Sequence, residues 1–481
     1  MNSEPRTVSV IINTDGRADS LRVCLESLRY VRYPSFEVVV VAGPTNDGTW
    51  ELCEALGDAI VFGRCPVRNL SKSRNMGIGL ASGELLAFLD DDSIPEPEWL
   101  DDVVPAFDDP GVGVAAGFLH DHTGKGYQWT FGTSDRFGDV DQHWNRPTPE
   151  FNFPKGFCFP FVMANSLFRH APVAELGGFN EEFEYFLDEN DMIVRMVDNG
   201  WKVSQLRNAF IHHKFLPSSI RTPNRVLTSW YSLIKNKMYF SLIHGKSFAS
   251  TQEILHVMDE FVQRWRGDVR WAVDQGILLP ADAERFEREA DSALRHGLAR
   301  GLSGRQRLPD PHLLRGSASF RPFPKFRYPQ GQACCILLSQ TWHPDPPDAA
   351  ARDVQERARQ LAAAGAQVHV LTAGEGHDRI DFEDGAWVHR ILVRHSEKPA
   401  CVAASDSLWD FSRTMLDEAR EIASRRPVAV VYAPVAARDA AAAFAGSEFT
   451  VTSDAEFSRA LPAAVPPACG HCQDGRAPAN A

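Results

Sequence analysis

The sequence predicts an α/β chain in which two sheet-bearing parts are joined by a helical stretch. Three observations carry this. Four short apolar runs, at residues 7–13, 36–42, 59–62 and 85–89, alternate with stretches of helical spacing. Residues 225–300 keep a helical period, and a second alternation of apolar runs and helices begins near Ala333. Strands alternating with helices imply a mainly parallel sheet covered by helices.

In order, residues 7–13 (TVSVIIN) read as a strand and 20–28 as a helix with Leu21, Leu25 and Leu28 on one face. Residues 36–42 (FEVVVVA) read as a strand, 49–56 as a helix, 59–62 as a short strand, 72–80 as a helix and 85–89 (LLAFL) as a buried strand. Residues 105–160, rich in Gly, Phe and Asp, read as loops with short strands. The aromatic run 151–161 (FNFPKGFCFPF) reads as core, with a ligand-binding wall as the alternative. Residues 251–267 and 281–299 read as helices, and the Pro-, Gly- and Arg-bearing stretch 305–332 as a linker. The second alternation places strands at 333–339, 367–372, 387–393 and 428–432 and helices at 349–364 and 408–424. The predicted divisions are 1–245, a helical extension 246–304, the linker, 333–457, and a disordered Ala/Pro-rich tail 458–481.

The chain has 481 residues and a formal net charge of −13, which argues against a general nucleic-acid binder because neutralising phosphates needs a basic surface. The N-terminal residues lack a signal-like apolar stretch, and no run approaches the ~20 apolar residues of a membrane span. Nine scattered cysteines fit a reduced, cytoplasmic setting.

The chemistry concentrates at strand tips, where open α/β sheets bind ligands. Asp90, Asp91 and Asp92 close the run 85–89, and three adjacent acids repel one another unless a cation such as Mg²⁺ or Mn²⁺ neutralises them. In that reading Asp92 is a metal ligand and Asp90 contacts the metal-bound water or a ribose. The alternative is a solvated acidic turn. Residues 13–17 and 43–48 form two further polar tips and offer Asn13, Thr14, Arg17 and Asp47 as ligand contacts. Residues 69–75 (NLSKSRN) open a helix, so Lys72, Arg74 and Asn75 are placed to meet phosphates beside helix-end N–H groups. The alternative is a capped helix with solvated charges. Asp188, Glu189 and Asp191 form a second acidic cluster that offers a general base, or simply favourable charge at a helix start. His212 and His213 end a strand and are candidate metal ligands. The sequence Gly245-Lys246-Ser247 lacks the earlier glycine of a phosphate loop, and Cys469 and Cys472 are too few for a zinc site.

These pieces, at residues 8–17, 37–49, 69–77, 81–95 and 177–195, resemble in order and spacing the family 2 glycosyltransferases of the GT-A fold. The resemblance covers roughly residues 5–245. It implies a nucleotide-sugar donor held through a divalent metal at Asp90–Asp92, and an inverting transfer to the hydroxyl of a glycan, lipid-linked or other acceptor. It makes Glu189 the base, Asp188 its neighbouring acid, and His212 or His213 the late metal ligand. Two departures stand out. Ala42 occupies the place of the acid that reads the donor's base in the family, and Phe261 precedes Arg264-Trp265 where the membrane synthases carry Gln. A soluble enzyme, at most peripherally bound to membrane, is expected. Residues 333–455 resemble the N-terminal half of a family 4, GT-B glycosyltransferase without its donor-binding half. Two alternatives are a non-catalytic sugar-nucleotide- or glycan-binding protein and a haloacid-dehalogenase-like phosphatase, whose nucleophile strand residues 88–93 also resemble.

Overall fold

The computed structural model describes residues 4–453 except 144, 164, 219, 317, 318, 327–332 and 347. The tail 458–481, with Cys469 and Cys472, lies outside the described residues. The chain divides into two compact units: Met1–Cys24, Tyr33–His122 and Tyr127–Phe323 form the first, and Leu25–Arg32, Thr123–Gly126 and Pro324–Ala481 the second.

The chain opens with β1 (Val8–Thr14), α1 (Ala18–Leu28), β2 (Phe36–Ala42), α2 (Thr49–Ala55), β3 (Val61–Arg64), α3 (Leu70–Leu80) and β4 (Leu85–Asp90). Val10, Ile11, Ile12 and the whole of β2 are buried, as a strand covered on both faces requires. β5 (Ser93–Pro95), α4 (Trp99–Val103), β6 (Val112–Ala116), β7 (Leu119–His120), β8 (Tyr127–Trp129), β9 (Phe131–Asp135), β10 (Val140–His143), β11 (Cys158–Pro160) and β12 (Leu167–Arg169) follow. Then come α5 (His170–Glu175), α6 (Asp188–Asp198), β13 (Lys202–Gln205) and β14 (Ile211–His213).

The main sheet has seven strands in the order β13-β6-β12-β4-β1-β2-β3. β12 is antiparallel to both neighbours, β4 and β6, while the other pairings are parallel. The fold is therefore mixed α/β with a mainly parallel sheet. Strand order reverses at β1, with β2 on one side and β4 on the other, so the crevice for a ligand lies over the tips of β1 and β4. α3 lies close on the sheet because Gly77 lacks a side chain: a Cβ there would come within 2.5 Å of Ile11 Cγ2.

α7 (Tyr231–His244), α8 (Thr251–Asp274) and α9 (Pro280–Ser303) pack around Trp230, Ile234, Met238, Ile254, Met258 and Phe286. None of the helices among the described residues is long and apolar enough to cross a membrane. The stretch read as a linker behaves differently up to Phe323. It is a strap on the first unit, with Leu314 and Phe323 buried and backbone bonds from Glu181 N to Arg307 O (2.9 Å) and Phe323 N to Phe36 O (2.9 Å). Its prolines and glycines reflect an irregular path with buried apolar anchors.

The second unit holds β15 (Cys334–Leu338), α10 (Ala349–Ala363), β16 (Val368–Ala373), β17 (Arg379–Glu383), β18 (Ala386–Ile391), α11 (Asp406–Arg425), β19 (Val428–Tyr432) and β20 (Val451–Thr452). The sheet order is β17-β18-β16-β15-β19-β20, all parallel except the edge strand β17. β17, which the sequence reading did not assign, alternates charged and apolar residues, with Ile380 and Phe382 facing in, as suits a half-exposed sheet edge.

Candidate active site

β4 delivers Asp90 to the crevice, where Asn165 Oδ1 accepts the Asp90 N–H at 2.9 Å. The chain turns through Asp91 and Asp92 into β5, which leaves the main sheet and pairs with β14. That pairing sets His213 opposite Ser93. His213 Nε2 lies 3.2 Å from Asp92 Oδ1 and 3.7 Å from Asp90 Oδ2. His213 Nδ1 donates to Gln128 Oε1 at 2.7 Å, which orients the ring so that Nε2 faces the two carboxylates. The ligating atoms of Asp90, Asp92 and His213 all lie within 4.8 Å of one another. Two carboxylate oxygens and an oriented imidazole nitrogen are a donor set that fits Mn²⁺ or Mg²⁺.

Arg17 supplies the balancing charge, with Nη1 3.0 Å from Asp91 Oδ1 and 2.9 Å from Asp92 Oδ2. Thr14 Oγ1 donates to Asp91 Oδ2 at 2.7 Å and Leu216 N to Asp92 Oδ2 at 2.9 Å. The neighbours Asp91 and Asp92 therefore diverge. Burial, reinforced by Asp92 and Asp90, outweighs Arg17 and pushes Asp91 up to about 7. Burial also acts on Asp92, but His213, Arg17 and the Leu216 N–H hold it well below the carboxylate range. Burial lowers the His213 pKa, and the Asp92 hydrogen bond and charge more than reverse this. Binding a cation at this nitrogen would release that proton.

The second cluster stands at the start of α6. Phe186 (φ 71°) and Leu187 (φ 62°) are both left-handed, a strained pair for side-chain-bearing residues. Asn236 on α7 holds them by donating to Tyr185 O (2.6 Å) and Phe186 O (3.1 Å). The turn presents Asp188 and Glu189 to Arg74 of α3, whose guanidinium bonds Asp188 Oδ2 and lies 2.7 Å from Glu189 Oε1. Asp188 is buried, while the Glu189 side chain keeps 20% exposure. Burial pushes Glu189 up to about 7, with Asp188 and Asp90 adding to it and Arg74 opposing. Asp188 is raised for the same first reason. Asp90 thus adds to the upward shift of both carboxylates of the second cluster.

Two of the expected site residues stand apart from the Asp90, Asp92 and His213 group, and one of them, His212, belongs to a second set of potential metal ligands with Glu96 and His120. His212 points to the opposite face of β14, as strand alternation requires, and lies 3.1 Å from Glu96 Oε1 with its ring stacked on His120 (centroids 4.4 Å). Burial, with His120 adding to it, drops its pKa well below the usual histidine range. Asp191, two residues beyond Glu189, is fully buried between Arg195 (2.8 Å) and His244 (2.9 Å). The donor-binding candidates also separate. Asn13 bonds Ser73 Oγ (2.6 Å) and remains at the crevice edge with Thr14 and Arg17. Asp47 caps α1 and α2 by accepting from Ala18 N (2.9 Å) and Thr49 N (3.1 Å). Asn75 is clamped to Phe179 by both N–H···O bonds (2.8 Å each). The Lys72 side chain, half-buried on the first turn of α3, makes no hydrogen bond or ion pair among the described residues. Gln128, Asn165 and Asn236 were missed, since each acts on a residue 50 to 85 positions away and no local pattern marks it.

Residues 9–175 match the model of the family described as Glycosyl transferase family 2. Glycosyltransferase AglE of Haloferax volcanii is 32% identical over 123 residues, 24% of this chain and 40% of that protein. The O-antigen biosynthesis protein RfbC of Myxococcus xanthus is 28% identical over 227 residues, 43% of this chain and 17% of its own length. The solved structure of S. aureus TarS 1-349 in complex with UDP-GlcNAc aligns over 62% of this chain and 89% of its own at 16% identity, with a TM-score of 0.39. The chain spans less than half the length of these two curated relatives. Residues 9–175, within the first unit, are thus similar to the glycosyl transferase family 2 domain.

Proposed function

We propose that this chain is a metal-dependent, inverting glycosyltransferase that moves a sugar from a nucleotide-diphosphate donor to an acceptor hydroxyl. The observation that carries the reading is the convergence of Asp90, Asp92 and His213 at the crevice with Glu189 and Asp188 electrostatically coupled to Asp90. Asp90, Asp92 and His213 would hold a divalent cation, which when bound neutralises the charge on a departing diphosphate. Arg17, anchored by Asp91, adds a second positive group on the same side. Glu189 is the proposed base. A carboxylate raised to about 7 and partly exposed is matched to removing a proton from an attacking hydroxyl near neutral pH. Asp188 holds Arg74 in place beside it.

The name of RfbC, an O-antigen biosynthesis protein, supports a role in glycan or surface polysaccharide synthesis, and that of AglE supports glycosyl transfer; we propose that this takes place in the cytoplasm. The proposed division of labour gives transfer to residues 1–245 supported by 246–304. Residues 333–457, read as a partial family 4 (GT-B) domain, take an acceptor- or partner-binding role. The deciding experiment is turnover of a panel of nucleotide-diphosphate sugars with Mn²⁺ and with a chelator. Turnover in Mn²⁺ that collapses in the chelator supports the reading, and full turnover in the chelator removes the metal from it.

A further inference from the structure

Arg17 and Arg74 already have carboxylates of the chain itself. Arg17 is paired with Asp91 and Asp92, and Arg74 with Asp188 and Glu189. Arg221 differs: half-buried, it makes no ion pair among the described residues. Its guanidinium carbon lies 4.9 Å from the centre of the Phe215 ring and 5.5 and 5.6 Å from those of Tyr185 and Phe186. Nη1 donates to Tyr185 Oη at 2.8 Å, the one hydrogen bond its side chain makes among the described residues. Ring faces attract the cation, but they leave its remaining N–H donors to a ligand.

The rings around Arg221 come from both halves of the site. Tyr185 and Phe186 lead into the turn that presents Asp188 and Glu189. Phe215 follows His213, and the two rings are 5.6 Å apart between centroids. Arg221 therefore spans the interval between the metal-ligand segment and the turn of the proposed base. A small hairpin holds it there, with Arg221 bridged to Ser218 and Leu227 and Thr228 N donating to Ile220 O at 2.9 Å. The charges of Asp90 and Arg17 both act on the Tyr185 hydroxyl, which puts it at the same place. Because Tyr185 Oη accepts from Arg221, its own proton turns elsewhere, and no group among the described residues accepts it. The pair thus presents donors only, with a positive charge that no carboxylate of the chain meets. Such a set suits an oxyanion brought by the substrate.

We propose that Arg221 and Tyr185 bind a carboxylate on the sugar being transferred, so that the donor is a nucleotide-diphosphate uronate. The inference rests on the nucleotide-sugar reading of the site. In that reading the diphosphate is met by the cation at Asp90, Asp92 and His213 and by Arg17. The sugar lies between the departing diphosphate and the acceptor hydroxyl at Glu189, which is the interval that Arg221 spans. A hexose with a neutral CH₂OH group in place of the carboxylate gives the guanidinium no countercharge. The discrimination therefore comes from charge-assisted hydrogen bonds.

The test is calorimetric binding, with Mn²⁺, of donor pairs that share a nucleotide and differ only at the sixth carbon of the sugar. The pairs are UDP-glucuronate and UDP-glucose, UDP-galacturonate and UDP-galactose, and GDP-mannuronate and GDP-mannose, with UDP and GDP as sugar-free probes. Each is titrated into the full chain and into its Arg221→Gln and Tyr185→Phe variants, the second of which keeps the ring packing. The unaltered chain is expected to bind the uronate of at least one pair about tenfold or more tighter than its hexose. Arg221→Gln should bring that pair within about threefold, and Tyr185→Phe should lower the preference part of the way, while UDP or GDP stays within about threefold of the parent in both. A parent with no uronate preference in any pair overturns the assignment and leaves the transferase reading standing, as does a preference that survives in Arg221→Gln. A variant that loses UDP or GDP as steeply as the uronate assigns Arg221 to the diphosphate and overturns it as well. A parent that binds neither nucleotide nor any of the sugars overturns the transferase reading along with it.

Discussion

At Asp92 one carboxylate meets His213, Arg17 and the Leu216 N–H, so its charge is compensated from three directions. Asp92→Asn removes the charge but keeps the size. It is expected to cut turnover on the order of 100-fold or more and to abolish the Mn²⁺ dependence of donor binding, as read by turnover and calorimetry with and without the metal. Gln128→Leu acts one step removed, freeing the His213 ring while leaving every proposed ligand in place. Cation affinity should fall about tenfold with little change in thermal stability. Glu189→Gln should lose roughly 100- to 10,000-fold in turnover while keeping donor affinity. Glu189 works as a base only when ionised, so the rate of the unaltered chain should rise with pH and level off above about 7. A rate that falls through that range would move the proton transfer elsewhere.

The element that matters most is the turn into α6. Two consecutive left-handed residues cost of order 1–3 kcal/mol each, and the fold holds them with Asn236. Asn236 is completely buried, so replacing it with alanine leaves two carbonyls short of a donor. Asn236→Ala should destabilise the first unit by about 1–3 kcal/mol in chemical denaturation. It should also lower turnover more than donor affinity, because Asp188 and Glu189 ride on that turn. Equal losses in both would mean that the strained turn serves stability alone. The β5–β14 pair is the second decisive element, since its register alone chooses His213 over His212 for the crevice.

At the scale of the molecule, the strap changes where the first unit ends. Leu314 and Phe323 are buried on it, and Arg321 N reaches the buried Glu37 at 3.0 Å. A chain ending after Phe323 is expected to keep Mn²⁺-dependent donor binding and hydrolysis. A chain ending after Ser303 exposes the apolar surface that Leu314 and Phe323 cover and should unfold at markedly lower denaturant, by about 2–5 kcal/mol for each buried anchor lost. Retained stability in the shorter chain would return residues 305–323 to the status of a linker. Loss of donor binding in the longer one would assign the second unit a part in the reaction.

The strands β1 to β4, β15, β16, β18 and β19, the helices α1 to α3 and α8 to α11 and the acids at strand tips were legible because local period and local polarity specify them, whereas short strands such as β12, β13 and β20 were not. The sequence alone also located Arg74, Asp92 and Glu189, because tips of parallel strands and starts of helices are where charge collects. Other features depend on pairing between distant segments, which no window of residues encodes. Tertiary structure sent His213 toward Asp92 and His212 toward Glu96, because adjacent residues of a strand face opposite ways and only the β5 register says which way is in. It committed Asp191 to Arg195 and His244, and made residues 305–323 a strap.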